Sequence, residues 1–230
     1  MPQRVVQPGE PFSRDSANGP AVRGFLHRPQ SGLGDGWVLT HGAGGNCGST
    51  LLVRLTVTFA AAGVFVLRCD LPFRQARRQG PPRPADSAKD REGLRAALAA
   101  MREIVPGKVF LGGQSYGGRQ ATMLTAEDRD VADGLVLLSY PLHAPKTPDK
   151  KRIEHLPRLH VPALFVHGTR DPFGTPEEME AARTMIPAET RLVLADGAGH
   201  ALIPAKASGV RVDEVATWIR SEFLSFFSGK

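Results

Sequence analysis

Cysteine is nearly absent from this chain: the 230 residues contain two, Cys47 and Cys69. Neither sits in a C-x-x-C pair or at metal-ligand spacing, which argues against a disulfide framework and a thiolate metal site. Two free thiols are expected, as in a reducing compartment. Aromatic residues are also scarce, at 7%, and none interleave with the basic runs Arg74, Arg77, Arg78, Arg83 and Lys146, Lys150, Lys151, Arg152. Despite a net charge of +6, the chain lacks nucleic-acid-binding motifs. No nucleic-acid partner is expected, and the basic runs read as a solvated face, with a preference for acidic substrates left open. No apolar run reaches the ~18 residues of a membrane span. Met1 to Glu10 has no apolar stretch of signal-peptide length. The expectation is a cytoplasmic protein without a membrane partner; nothing in the sequence speaks to oligomeric state.

What is present is ordinary globular material: 41% hydrophobic and 23% charged residues. This suits one domain over residues 1–230. Short apolar runs alternate with helical patterns, the signature of an α/β fold with a mostly parallel sheet. Strands are expected at Val22–His27, Trp37–Thr40, Val64–Arg68, Lys108–Gly112, Leu135–Ser139, Ala163–His167 and Arg191–Ala195. Helices are expected at Leu51–Ala62 (closed by Gly63), from a Ser87 cap to Ile104, at Tyr116–Ala126, from Pro176 to Ile186, and at Val210–Phe227. In the last, Val212, Val215, Ile219 and Phe223 recur at helical spacing. Leu71–Ala85, rich in Pro and Arg, reads as loop, as does most of Leu142–His160 apart from one short helix.

Gly113-Gln114-Ser115-Tyr116-Gly117 matches G-x-S-x-G between an apolar strand and a helix. A strand-to-helix turn that tight needs tiny residues two before and two after the serine, and Gly118 adds room for helix–sheet packing. A plain glycine-rich turn with an ordinary serine is the competing reading. A serine hydroxyl also needs a base and an orienting acid. His200 follows the Arg191–Ala195 strand in Gly197-Ala198-Gly199-His200, and Asp171 follows the Ala163–His167 strand. Ser115, Asp171 and His200 thus fall in the order Ser…Asp…His at strand C-terminal ends, where open α/β sheets assemble sites. Asp196 is an alternative acid; the bland readings are a turn aspartate before Pro172 and a surface histidine. For the oxyanion, the Tyr116 N–H and the Ala43 N–H are expected donors, Ala43 lying in the loop His41-Gly42-Ala43-Gly44-Gly45. That loop has no following G-K-[ST], which disfavours a phosphate cradle. Gly42, Tyr140 and Phe73 are expected to bind substrate, with Leu142, His143, Asp70 and Arg74 as further candidates.

On these motifs the chain resembles the α/β-hydrolase superfamily over nearly its whole length. It is most similar to small hydrolases near dienelactone hydrolase. The runs Leu39-Thr40-His41-Gly42-Ala43-Gly44 and Gly113-Gln114-Ser115-Tyr116-Gly117-Gly118-Arg119 look like a subgroup that includes a testis-expressed protein and a chromatin-complex subunit. The dienelactone enzymes use cysteine where Ser115 stands here. The resemblance implies an α/β-hydrolase fold and a serine hydrolase acting on a small ester or related acyl substrate. The chemistry needs no cofactor and no metal. About 20 residues separate the Leu135–Ser139 and Ala163–His167 strands, too few for a large lid. The chromatin-linked relatives supply the alternative: a non-catalytic interaction protein on the same fold.

Overall fold

A computed structural model describes residues 9–16, 19–32, 34–203 and 209–228. Residues 1–8, read above as lacking a signal-peptide core, lie outside them. The strands are β1 (Glu10–Arg14), β2 (Val22–His27), β3 (Gly36–Thr40), β4 (Phe65–Cys69), β5 (Val109–Gln114), β6 (Gly134–Leu138), β7 (Ala163–Gly168) and β8 (Thr190–Ala195). They form one sheet in the order β1-β2-β4-β3-β5-β6-β7-β8. β1 and β2 run antiparallel, and β3 to β8 are parallel. The α-helices are α1 (Thr50–Ala60), α2 (Pro72–Ala76), α3 (Asp86–Arg102), α4 (Tyr116–Glu127), α5 (Pro176–Arg183) and α6 (Val212–Phe227).

The central strands are buried on both faces, so their sequences read as unbroken apolar runs. The two-residue period then sorts each run between two cores. Trp37, Leu39, Phe110, Val136 and Leu138 face α1 and α6, where they meet Leu52, Phe59, Ile219 and Phe223. Val38, Leu111, Leu135 and Leu137 point the other way, onto Leu94, Leu98 and Met101 of α3 and Leu124 of α4. Trp37 and Phe59 are both fully buried, with ring centroids 4.5 Å apart.

Three readings are corrected. β1 was not expected: Glu-Pro-Phe-Ser-Arg carries no apolar alternation and is held by backbone pairing to β2 along an exposed edge. α2 forms inside the stretch read as loop, with Pro72 in its first turn. Ser87 does not cap α3. That helix starts at Asp86, and the Ser87 hydroxyl donates to Gln120 Oε1 at 3.0 Å. The short helix in Leu142–His160 is a single 3₁₀ turn, Leu156–Arg158, and no lid is inserted there. Both cysteines are free and buried; burial pushes the Cys47 thiol up to about 12 and Cys69 higher still. Among the described residues, no helix is long and apolar enough to cross a membrane.

Candidate active site

β5 ends at the turn that carries Ser115. The serine backbone adopts φ 51° and ψ −116°, a left-handed-side conformation that a non-glycine residue occupies only when its surroundings hold it. The surroundings explain the glycines. A Cβ on Gly113 would lie 2.7 Å from the Gly117 carbonyl carbon, and one on Gly117 would lie 2.6 Å from the His41 oxygen. α4 therefore begins in direct backbone contact with β5 and with the end of β3. The Ser115 N–H donates to the Leu138 carbonyl at 2.8 Å, tying the turn to β6.

Two loops bring the other polar groups to this turn. After β7, the turn containing Asp171 is closed by the Phe173 N–H donating to Asp171 Oδ1 at 2.9 Å. After β8, the loop delivers His200. Its Nε2 lies 2.7 Å from Ser115 Oγ, and its Nδ1 lies 2.8 and 2.9 Å from the two Asp171 oxygens. The Asp171 side chain is fully shielded from solvent, whereas His200 is 25% exposed. An ionised carboxylate only accepts, so Nδ1 must carry the proton and Nε2 is left free to accept from the serine hydroxyl. Phe173 stacks on the imidazole with centroids 4.0 Å apart, fixing the ring plane. Asp196, the alternative acid, instead accepts from Thr169 Oγ1 at 3.3 Å.

The loop after β3 faces the serine from the other side. A Cβ on Gly42 would lie 3.3 Å from Ser115 Cβ, so any side chain there would crowd the nucleophile. His41 is fully buried; its Nδ1–H donates to the Gly42 carbonyl at 2.8 Å and its Nε2 accepts from the Leu71 N–H at 3.1 Å. One neutral tautomer makes both bonds, and burial holds its pKa below the usual imidazole value. Arg74 clamps the same loop. Its guanidinium donates to the carbonyls of Gly45, Ala43, Arg78, Gly80 and Arg77 at 2.8 to 3.2 Å. At 7% exposure, Arg74 is therefore buried and is not part of a solvated basic face. Neither the Ala43 nor the Tyr116 N–H finds an acceptor among the described residues. The Tyr116 ring is anchored by its hydroxyl, which donates to Asp90 Oδ2 at 2.8 Å, while the Phe73 N–H donates to Asp90 Oδ1 at 3.0 Å. Asp90 is fully buried, and burial raises its carboxyl pKa.

These groups open onto a cleft of about 910 Å³, lined by Gly42, Ala43, Ser115, Tyr116, Phe173 and His200 among others. Tyr140 and Phe73 do not reach it. Tyr140 is 1% exposed and donates to the Arg152 carbonyl at 2.6 Å, and Phe73 is 3% exposed with its ring edge-on to Tyr116. Both build the wall from behind. Leu142 is buried, His143 pairs with Glu178, and Asp70 accepts from the Cys47 N–H. Sequence reasoning missed Phe173, Asp90 and the clamp role of Arg74. Phe173 had a local signal, since it lies two residues after the proposed acid; Asp90 lies inside a helix with none. Among the described residues, no group of three or more His, Cys, Asp or Glu side chains could hold a metal ion.

Known proteins agree with this architecture. The alpha/beta hydrolase domain family matches residues 35–228. An alpha-beta serine hydrolase homologue from Coxiella burnetii is similar at 17% identity, covering 95% of this chain and 99% of its own, with a TM-score of 0.73. Dienelactone hydrolase from Anabaena variabilis is similar at 21% identity, covering 94% and 99%, with a TM-score of 0.69. A serine hydrolase without a lid from Xanthomonas campestris is similar at 13% identity, covering 99% and 100%, with a TM-score of 0.73. With the family match spanning most of its length, this chain belongs to the alpha/beta hydrolase domain family and is a hydrolase.

Proposed function

We propose that this chain is a serine hydrolase that cleaves a small ester or related acyl substrate through an acyl-enzyme. Ser115 is the nucleophile, His200 the base and Asp171 the orienting acid. The observation that carries the reading is the continuous chain Ser115 Oγ–His200 Nε2–Asp171, with contacts of 2.7 and 2.8 Å, at a strained serine on a cleft floor. His200 takes the hydroxyl proton as Oγ attacks the acyl carbon. The negative charge that develops on the carbonyl oxygen is met by the Tyr116 and Ala43 N–H groups. His200 then returns the proton to the leaving alkoxide. In the second half it deprotonates a water that attacks the acyl-enzyme, and the proton goes back to Ser115. The whole chain works as one domain, and no cofactor enters these steps.

A non-catalytic interaction role, suggested by the chromatin-linked resemblance, has no observation at the site in its favour. A binding surface does not need a serine in a strained conformation with a matched histidine and carboxylate. The test is turnover of nitrophenyl acetate, butyrate, octanoate and palmitate by wild type and Ser115→Ala. Burst kinetics and a preference for the short acyl chains are expected, because the cleft is unlidded. Absence of turnover on every ester by folded wild type, or a strong preference for palmitate, would overturn the reading.

A further inference from the structure

Outside the chemistry assigned above, the cleft holds an unexplained concentration of positive charge. Its lining includes Arg83, Arg119 and Arg152 and no aspartate or glutamate. Asp171, the nearest acid to the reacting atoms, has a fully shielded side chain behind His200. Many arginines elsewhere face carboxylates, among them Arg77 with Asp86, Arg91 with Glu127, Arg95 with Asp128 and Arg102 with Asp133. Arg74 is satisfied by backbone carbonyls. Among the described residues, neither Arg119 nor Arg152 pairs with a carboxylate.

Arg119 sits one helical turn beyond the nucleophile; its backbone N–H donates to the Ser115 carbonyl at 3.0 Å. Its Nε is buried with no hydrogen-bond partner. Among the described residues, Arg152 makes one side-chain bond, from Nη1 to the Pro141 carbonyl at 3.1 Å. Its backbone is held by Tyr140, whose hydroxyl donates to the Arg152 carbonyl, and by its own N–H, which donates to Leu142 at 2.7 Å. Both side chains line the same cleft, and burial first and then the Arg119 charge push the Arg152 pKa down. Two like charges lining one cleft, one with an unsatisfied buried N–H, are unfavourable unless something negative joins them. Planar guanidinium forks suit carboxylate and phosphate oxygens, which can accept two parallel bonds.

We propose that the cleft recognises an anionic group, a carboxylate or a phosphate, carried by the substrate, through Arg119 and Arg152 with Arg83 at the exposed rim. The proposal rests on the serine-hydrolase reading for its catalytic arm. Its substrates are esters whose charged end lies against the arginines while the acyl carbon sits over Ser115. Tyr140 is then a positioning residue for Arg152, acting from behind the wall.

The test pairs charged and neutral substrates: 4-acetoxybenzoate against its methyl ester, and 4-acetoxyphenyl phosphate against phenyl acetate. A preference in kcat/KM of about tenfold or more for at least one anion is expected, shrinking as salt rises from low ionic strength to about 0.5 M. Arg119→Gln and Arg152→Gln should each reduce the anion-to-neutral ratio. Arg83→Gln, at an exposed position where folding is not at stake, should reduce it less. Calorimetry on Ser115→Ala with benzoate, phenyl phosphate and neutral benzamide reads binding without turnover. Binding of either anion, weakened in Ser115→Ala/Arg119→Gln, supports the proposal even if catalysis fails. Equal rates on charged and neutral esters by an enzyme that fluorophosphonate labels, or no anion binding above benzamide, would overturn it and leave the hydrolase reading standing.

Discussion

Replacing Asp171 with asparagine changes one atom and should nearly abolish turnover. Asp171 Oδ1 accepts from the Phe173 N–H at 2.9 Å. An asparagine keeps its oxygen on that donor, which aims its NH2 at His200 Nδ1, where the carboxylate oxygen now stands at 2.8 Å. Oδ1 also lies 2.9 Å from Nδ1 but is already engaged by the Phe173 N–H, and an N–H facing Nδ1 at 2.8 Å repels a second proton there, which favours the tautomer protonated on Nε2. Nε2 lies 2.7 Å from Ser115 Oγ and would then donate to the hydroxyl instead of accepting from it. The base is lost with the geometry intact, and the imidazolium that forms during attack loses its counter-charge as well. The expected fall in kcat is about 10⁴, or about 5.5 kcal/mol of transition-state stabilisation. The assay is kcat on nitrophenyl acetate, with melting temperature confirming that the near-isosteric variant is folded. Asp196→Asn is the control: Asp196 contacts Thr169, not His200, and its variant should stay within about twofold of wild type. A folded Asp171→Asn enzyme within about tenfold of wild type would refute the assignment of Asp171.

Other consequences follow from the same contacts. Arg74→Met strips the clamp from the Ala43, Gly45 and Arg78 carbonyls; a stability loss of about 2–4 kcal/mol in urea melts and a fall in kcat exceeding any change in KM are expected, and unchanged melting and turnover would count against the clamp. Gly117→Ala would press a Cβ to 2.6 Å from both the His41 oxygen and Thr40 Cγ2, so about 1–3 kcal/mol of destabilisation should appear in thermal melts. His27 and His155 are each pushed down to about 4, by burial first and then by Arg68 beside His27 and Arg119 beside His155. The unfolded chain binds these protons near pH 6.5 and the folded chain only near 4, so stability is full above that window and falls as pH drops through it, by up to about 3 kcal/mol per histidine. Urea melts at pH 7, 5.5 and 4.5 should show the decline, and His155→Gln should flatten part of it; constant stability across the range would contradict these buried neutral histidines.

Much of the fold was legible because the central strands are buried on both faces. Trp37–Leu39 and Leu135–Leu138 are apolar throughout, and the Ser115 turn needs small residues on either side, which Gly113 and Gly117 supply. The order of Ser115, Asp171 and His200 was readable for the same reason, since each lies at the end of an apolar strand. The rest depended on contacts that leave no local mark. β1 is defined by pairing along a polar edge. Phe73 and Tyr140 carry apolar rings near the site, yet the turns that follow β4 and β6 direct them inward. Arg74 belongs to a basic run, and nothing nearby in sequence distinguishes a clamp on five carbonyls from a solvated charge. Arg119 was visible only as the end of the Ser115 motif; that its Nε is buried without a partner among the described residues is a three-dimensional fact.

The central claim is that Ser115 is an activated nucleophile. Labelling with a fluorophosphonate probe, followed by peptide mapping, measures this directly. Wild type should be modified on Ser115, while folded Ser115→Ala and His200→Ala proteins should remain unlabelled. A folded wild-type protein that takes no label, or takes it on another residue, would contradict the account.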